Sequence, residues 1–226
     1  MGNSATPEAG SQDRWRSKKL YANCPVIYLD TEIDSDITHP PRLDDKIIVI
    51  GLKPVLSRVI LYKEWELGER DMLLHGLRCL ERYLAKAGCL EIVGMGILTF
   101  DIPLIIARGM AHGLHEELNI LMHSRVYKVD LLQIARPFYG WRFPKGTEIA
   151  KLVGVEIPHS NKEIPQFYRE GRYDEIIEHI EADLISVEKL DLCLRRGWRW
   201  TKKDFVSCIQ ADPKEGRGAT AHRLRD

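Results

Sequence analysis

The sequence predicts an α/β protein built on a mixed five-stranded sheet flanked by helices. Three observations carry that expectation. Short runs rich in apolar and β-branched residues recur at 25–30, 46–52, 59–62, 89–94 and 126–130. The first three follow one another with only turns between them, whereas a segment of helical periodicity precedes each of the last two. A long helical segment then closes the pattern. Early strands therefore form a meander and later ones are reached through helices, which gives a mixed sheet and not an all-parallel wound one.

Residues 25–30 (PVIYLD) read as a buried central strand, and 46–52 (KIIVIGL) and 59–62 (VILY) as two more. Pro54 and Ser57 suit the turn between the latter two. In residues 69–87, Leu73, Leu74, Leu77, Leu80 and Leu84 recur at the helical period, and Gly88 is a natural stop. CLEIVG, 89–94, is the fourth strand. A helix is expected at 101–110, with Asp101 in a capping position and Pro103 in the first turn. VYKVD, 126–130, is the fifth strand; a short helix is expected at 147–153 and a long one at 173–196, stopped by Gly197.

The 226 residues suffice for one large domain, expected at 20–200. Residues 1–19, rich in Gly, Ser, Pro and charge, read as a disordered tail, and 201–226 as a loosely ordered one. Thirty-three basic side chains balance 33 acidic ones. That balance excludes a protein that coats nucleic acid by bulk charge and leaves room for a local basic groove. The five cysteines, Cys24, Cys79, Cys89, Cys193 and Cys208, are odd in number and without CxxC spacing. Such usage fits a reducing cytoplasm and neither a disulfide scaffold nor a zinc ribbon. No apolar stretch reaches membrane-spanning length and residues 1–17 lack an apolar core, so a cytoplasmic protein without a membrane partner is expected.

Asp30 ends the first strand and Glu32 follows two residues later. Alternate strand residues face one side, so both carboxylates project together. Like charges this close raise each other's pKa unless a cation neutralises them, and a hard cation with oxygen ligands, Mg²⁺ or Mn²⁺, does so. The plain alternative is that TEIDSD merely opens a polar loop. Asp101 read alone is a helix cap. Asp183 lies at the edge of, or within, the stripe Ile176, Ile177, Ile180, Leu184, Val187 and Leu194, where a solvated acid does not belong. His179 stands one turn before it on the same face. The segment ARPFYGWRFPKG interleaves Arg136, Arg142 and Lys145 with Phe138, Tyr139, Trp141 and Phe143. Aromatic faces stack bases and cations follow phosphates, so Arg136, Tyr139, Trp141 and Arg142 are candidate single-strand contacts; a loop packed on the domain explains them as well. His112 and His115 lack a third metal ligand and read as surface residues.

Taken together these residues resemble the DEDD superfamily of 3′–5′ exonucleases, most of all the proofreading domain of family B DNA polymerases and its stand-alone relatives. The first motif, Asp-x-Glu at a strand end, reads YLDTEID; the second, a Gly-containing strand end followed by Phe-Asp opening a helix, reads VGMGILTFDIPLIIARG; the third reads HIEADLISVEKL. The resemblance covers roughly residues 25–196. It implies an RNase H-like fold and hydrolysis of nucleotides from the 3′ end of single-stranded nucleic acid, with DNA favoured. It implies two divalent cations, Mg²⁺ or Mn²⁺, held by Asp30, Glu32, Asp101 and Asp183, with Asp30 bridging them. His179 would orient or deprotonate the attacking water, and Thr31 and Phe100, inside the motifs, would touch substrate. Replication or repair proteins are the partners it implies. Two positions depart from the pattern. Gly96 falls where polymerase domains have Asn, and His179 where they have Tyr. Those departures leave open an inactive exonuclease-like domain that binds nucleic acid or a polymerase partner; the same carboxylates would also serve a structure-specific endonuclease.

Overall fold

The computed structural model describes residues 24–35, 41–136 and 145–196. Both expected tails, and with them Tyr139, Trp141 and Arg142 of the aromatic loop, lie outside the described residues. In chain order the elements are β1 (Val26–Asp34), β2 (Lys46–Pro54), β3 (Ile60–Lys63), α1 (Glu64–Leu67), α2 (Glu69–Ala87), β4 (Leu90–Gly94), α3 (Asp101–Ala111), α4 (Asn119–Met122), β5 (Val126–Asp130), α5 (Leu131–Ala135), α6 (Gly146–Leu152), α7 (Ile164–Glu170) and α8 (Tyr173–Arg196). They form one five-stranded sheet in the order β3-β2-β1-β4-β5. β1, β2 and β3 pair antiparallel, while β1, β4 and β5 run parallel. The mixed α/β sheet predicted from the run of strands and helices is the observed one.

Strand alternation divides the interior into two layers. Ile27, Leu29 and Ile33 of β1 face a core shared with Met72, Leu73, Leu77 and Leu80 of α2. Tyr28, Ile48 and Val93 face the opposite core, completed by Ile176, Ile180, Leu184 and Val187 of α8. Each fully buried Leu or Ile contributes roughly 1.5–3 kcal/mol by leaving water. Truncating Leu77 to Ala would cost about 2–5 kcal/mol, because the sheet and α2 cannot both collapse onto the gap. α2 ends as foreseen: Gly88 adopts φ 78° and its N–H donates to the Leu84 carbonyl.

Several expectations are corrected. β1 runs four residues past Asp30, because Thr31 through Asp34 keep pairing with β2, across a register shift between Glu32 and Ile33. Pairing overrides the poor strand propensity of this acidic stretch. Asp101 is the first residue of α3 and Phe100 precedes it as the cap, so the Asp101 side chain is free for another partner. Between the two last expected helices the chain forms a further one, α7, with Pro165 in its first turn. His112 is not a plain surface residue: its Nε2 lies 2.8 Å from Glu69, which also pairs with Arg108 at 2.5 Å. Cys24 and Cys89 form a disulfide. They stand just before β1 and β4, whose parallel register matches Val26 to Glu91 and so brings the two cysteines side by side. The pair overturns the reading of the cysteines as all unbridged, and with it the support that cysteine spacing gave to a reducing compartment. Among the described residues no helix is long and apolar enough to cross a membrane.

Candidate active site

The three parallel strands all point their carboxyl ends to one edge of the sheet, the edge at which open α/β sheets place ligands. β4 pairs with β1 only as far as Tyr28–Val93, so β1 projects beyond its parallel neighbour from Leu29 onward. Asp30 and Glu32 sit on this projecting segment. The turn after β4 delivers Asp101 at the start of α3. From the other side α8 delivers His179 and Asp183, one turn apart. The helix approaches closely because Gly51, the partner of Asp30 in β2, has no side chain: a Cβ there would lie 2.7 Å from Leu184 Cδ1.

Glu32, His179 and Asp183 offer ligand atoms that all lie within 4.8 Å of one another. The His179 Nε2 is 3.2 Å from Asp183 Oδ2 and 3.5 Å from Glu32 Oε1, and the imidazole is fully enclosed (0% exposed). Glu32 and Asp101 are buried, and Asp30 and Asp183 are half-buried. Asp101 is fixed by Thr31, whose hydroxyl donates to its Oδ1 at 2.6 Å. A network of buried carboxyls is costly, and the pKa values express that cost. Burial holds Asp30 well above the carboxylate range, with Asp183, Asp101 and Glu32 pushing the same way. Glu32 is pushed up to about 8, first by burial; His179 opposes this and Asp183 and Asp101 add to it. Burial lifts Asp101 to about 6 against the hydrogen bond from Thr31. His179 is raised as well: burial opposes its charge, but Asp183 and Glu32 outweigh that. These groups share a deficit of positive charge, and a divalent cation bound by oxygen ligands is the chemistry that answers it.

A cleft of 560 Å³ opens beside Asp30 and Asp183. Its volume lies within the range of small-ligand sites. Lys145, Lys162, Ser160 and Asn161 supply cationic and polar groups to its wall, and Met95 and Leu132 an apolar one. The site therefore places a cluster of carboxyl groups next to cationic side chains.

All of Asp30, Glu32, Asp101, His179 and Asp183 come together at this edge. Thr31 faces Asp101 and not the cleft. Phe100 is half-buried against the core beside α2. Arg136 follows α5, one turn beyond the cleft residue Leu132. Sequence reasoning missed Lys162, Ser160 and Asn161, which lie in the polar stretch HSNK with no periodicity to mark them. It also missed Gly51 and the buried Asp130; the second carried a signal, an Asp closing a strand directly before a helix, the ordinary mark of an N-cap.

No protein-family model matches the chain, and no curated protein matches it in sequence. Among solved structures, it is similar to the family B DNA polymerase from the hyperthermophilic archaeon Pyrobaculum calidifontis, at 17% identity and a TM-score of 0.62. The match covers 84% of this chain and 27% of the polymerase, so the chain spans about a quarter of that enzyme's length. At this identity the likeness shows a shared fold.

Proposed function

We propose that the chain is a metal-dependent 3′–5′ exonuclease acting on single-stranded nucleic acid, DNA in preference to RNA. The observation that carries the reading is the meeting of Asp30, Glu32, Asp101 and Asp183, from three separate elements, at one sheet edge beside a cleft with a cationic wall. Four oxygen-donor side chains, of which Asp30, Glu32 and Asp101 hold their protons more tightly than ordinary carboxyls, fit Mg²⁺ or Mn²⁺. Asp30, Glu32, Asp101 and Asp183 would hold two such ions, which when bound activate a water and stabilise the departing 3′ oxygen.

The chain's own groups do the rest. Thr31 fixes Asp101 by its hydroxyl bond. His179 spans Glu32 and Asp183, and its enclosure supports a role in holding these two carboxylates apart and oriented. Its role toward the attacking water, expected from the sequence, is tested by the pH profile of a variant. Lys145 and Lys162 would follow the phosphates of a strand end lying in the cleft. Arg136 would add a cation to the strand's phosphates, and Tyr139, Trp141 and Arg142, outside the described residues, would serve as further strand contacts by their chemistry; Thr31 and Phe100, next to the carboxylates in sequence, would touch substrate, and DNA replication or repair would be the setting.

End-labelled single-stranded DNA and RNA, incubated with Mg²⁺, Mn²⁺ or a chelator, test the reading. Stepwise mononucleotide release from the 3′ end with either metal is expected, and none with chelator or with Asp30→Ala. Internal fragments would point to an endonuclease. Tight binding without cleavage would replace the proposal with the non-catalytic reading.

A further inference from the structure

Three backbone N–H groups converge on one carboxylate outside the cluster of Asp30, Glu32, Asp101 and Asp183. Asp130 closes β5 and is buried. Its Oδ1 accepts from the Leu132 N–H at 3.0 Å and from the Gly96 N–H at 2.9 Å, while its Oδ2 accepts from the Leu98 N–H at 3.2 Å. The bond from Leu132 is an ordinary N-cap of α5. The other two have no part in capping. They tie down the turn between β4 and α3, which has no ladder or helix of its own to hold it.

The same turn carries Asp101. Inside it the Gly96 carbonyl accepts from the N–H groups of Thr99 and Phe100, both at 3.0 Å, and from the Thr99 hydroxyl at 2.9 Å. Asp101 follows directly and meets Thr31. Gly96 thus links the two sets of bonds: its N–H is held by the Asp130 carboxylate, and its carbonyl holds the residue before Asp101. Gly96 adopts φ 79°, and a Cβ there would come no nearer than 3.5 Å to Leu132 Cδ2, so the backbone conformation and not crowding calls for glycine.

We infer that Asp130 is a positioning residue: by anchoring the turn at residues 96–100 it sets where Asp101 stands in the metal cluster. The inference rests on the proposed exonuclease reading for its catalytic consequence and on geometry alone for the anchoring. A neutral Asn at 130 keeps one acceptor oxygen for Gly96 and Leu132 but turns an amide group toward the Leu98 N–H. It should therefore retain part of the anchor, whereas Ala retains none.

The test uses Asp130→Ala and Asp130→Asn in the full chain. Amide hydrogen exchange is followed without metal, Mn²⁺ binding by calorimetry, and kcat and KM on single-stranded DNA. Asp130→Ala is expected to speed exchange at Gly96 and Leu98 about tenfold, as loss of one buried hydrogen bond allows. Mn²⁺ binding and kcat should each fall about 10–100-fold, the usual worth of a group that orients a metal ligand, with KM changed far less. Asp130→Asn should lie between Ala and the parent on every measure. Parental exchange and parental Mn²⁺ affinity in the variants would overturn the inference. If the Ala variant does not fold, the Asn variant decides by the same readouts. A parent that binds Mn²⁺ but never cleaves, with Asp130-dependent exchange and affinity, would remove the exonuclease reading and leave the positioning role standing. A cleaving parent with unaffected variants would do the reverse.

Discussion

Gly51 faces Asp30 across the β1–β2 pairing, and α8 rests on the space that Gly51 leaves empty. A Cβ at 51 would stand 2.7 Å from Leu184 Cδ1 and 2.9 Å from Ile180 Cδ1. These two residues are the chain neighbours of Asp183 and His179. The distance between helix and sheet and the closure of the acidic site are therefore one constraint.

Gly51→Val is expected to lose about 1–3 kcal/mol of stability, the usual cost of forcing extra methyl groups into a packed interior. Because the helix must yield, Mn²⁺ affinity should fall with it. Urea unfolding and calorimetric titration check both, and a variant with parental stability and affinity would refute the coupling.

In the absence of divalent cations, the site should weaken the fold as pH rises. Glu32 titrates near 8 in the folded chain against an ordinary value of 4.5, and Asp101 near 6 against 3.8. The folded state binds more protons than the unfolded one in those windows, so stability is lost as pH climbs through them. His179, also raised, contributes in the same direction from 6.5 upward. With a chelator present, Glu32→Gln should be more stable than the parent at pH 8, and the difference should shrink toward pH 4.5. Saturating Mg²⁺ should reverse the order at pH 8, because metal binding displaces the excess protons and stabilises the parent by mass action. Thermal melts across pH measure this; an advantage that persists unchanged at pH 4.5 would sink it.

His179→Ala removes the ring that separates Glu32 from Asp183. Turnover should fall about 10–100-fold through weakened Mn²⁺ binding if the ring positions its neighbours. A loss of about 10²–10⁴-fold together with disappearance of the acid limb in the pH–rate profile would instead identify it as the base. His179→Tyr introduces the residue that the resemblance of the sequence implies at this spacing, and should keep more activity than Ala.

Lys162 lines the cleft, and in the proposed exonuclease it would act through its charge. Lys162→Ala should raise KM for single-stranded DNA with little change in kcat. The slope of log affinity against log salt should become shallower by about 0.7, one single-strand phosphate contact. An unchanged slope would remove Lys162 from the substrate path.

Much of the site was legible because it lies on periodic elements. Alternation paired Asp30 with Glu32, and the 3.6-residue stripe set Asp183 and His179 at its inner edge. What was hidden depended on partners distant in sequence. The strand through Asp34 exists because β2 pairs with it, although TEIDSD looks like a loop. The Cys24–Cys89 bridge depends on the β1–β4 register, which no spacing reveals. Gly51 looks like any strand glycine until α8 is laid across it. Asp130 advertises a helix cap and conceals its two further bonds. Helix α7 is only seven residues long and begins near a proline, too short for its period to show.

The wiring of the site also dictates when it can come into being during synthesis. Glu32 lies on the first strand and Asp183 on the last described helix, so a growing chain carries its earliest acids long before their counterparts leave the ribosome. Until α8 docks over Gly51, Glu32 lacks His179 and Asp183 as neighbours and the cluster of these three residues does not exist. A chain that stops short of α8 therefore cannot assemble the Glu32–His179–Asp183 cluster, which arises only once that helix has been made and has docked.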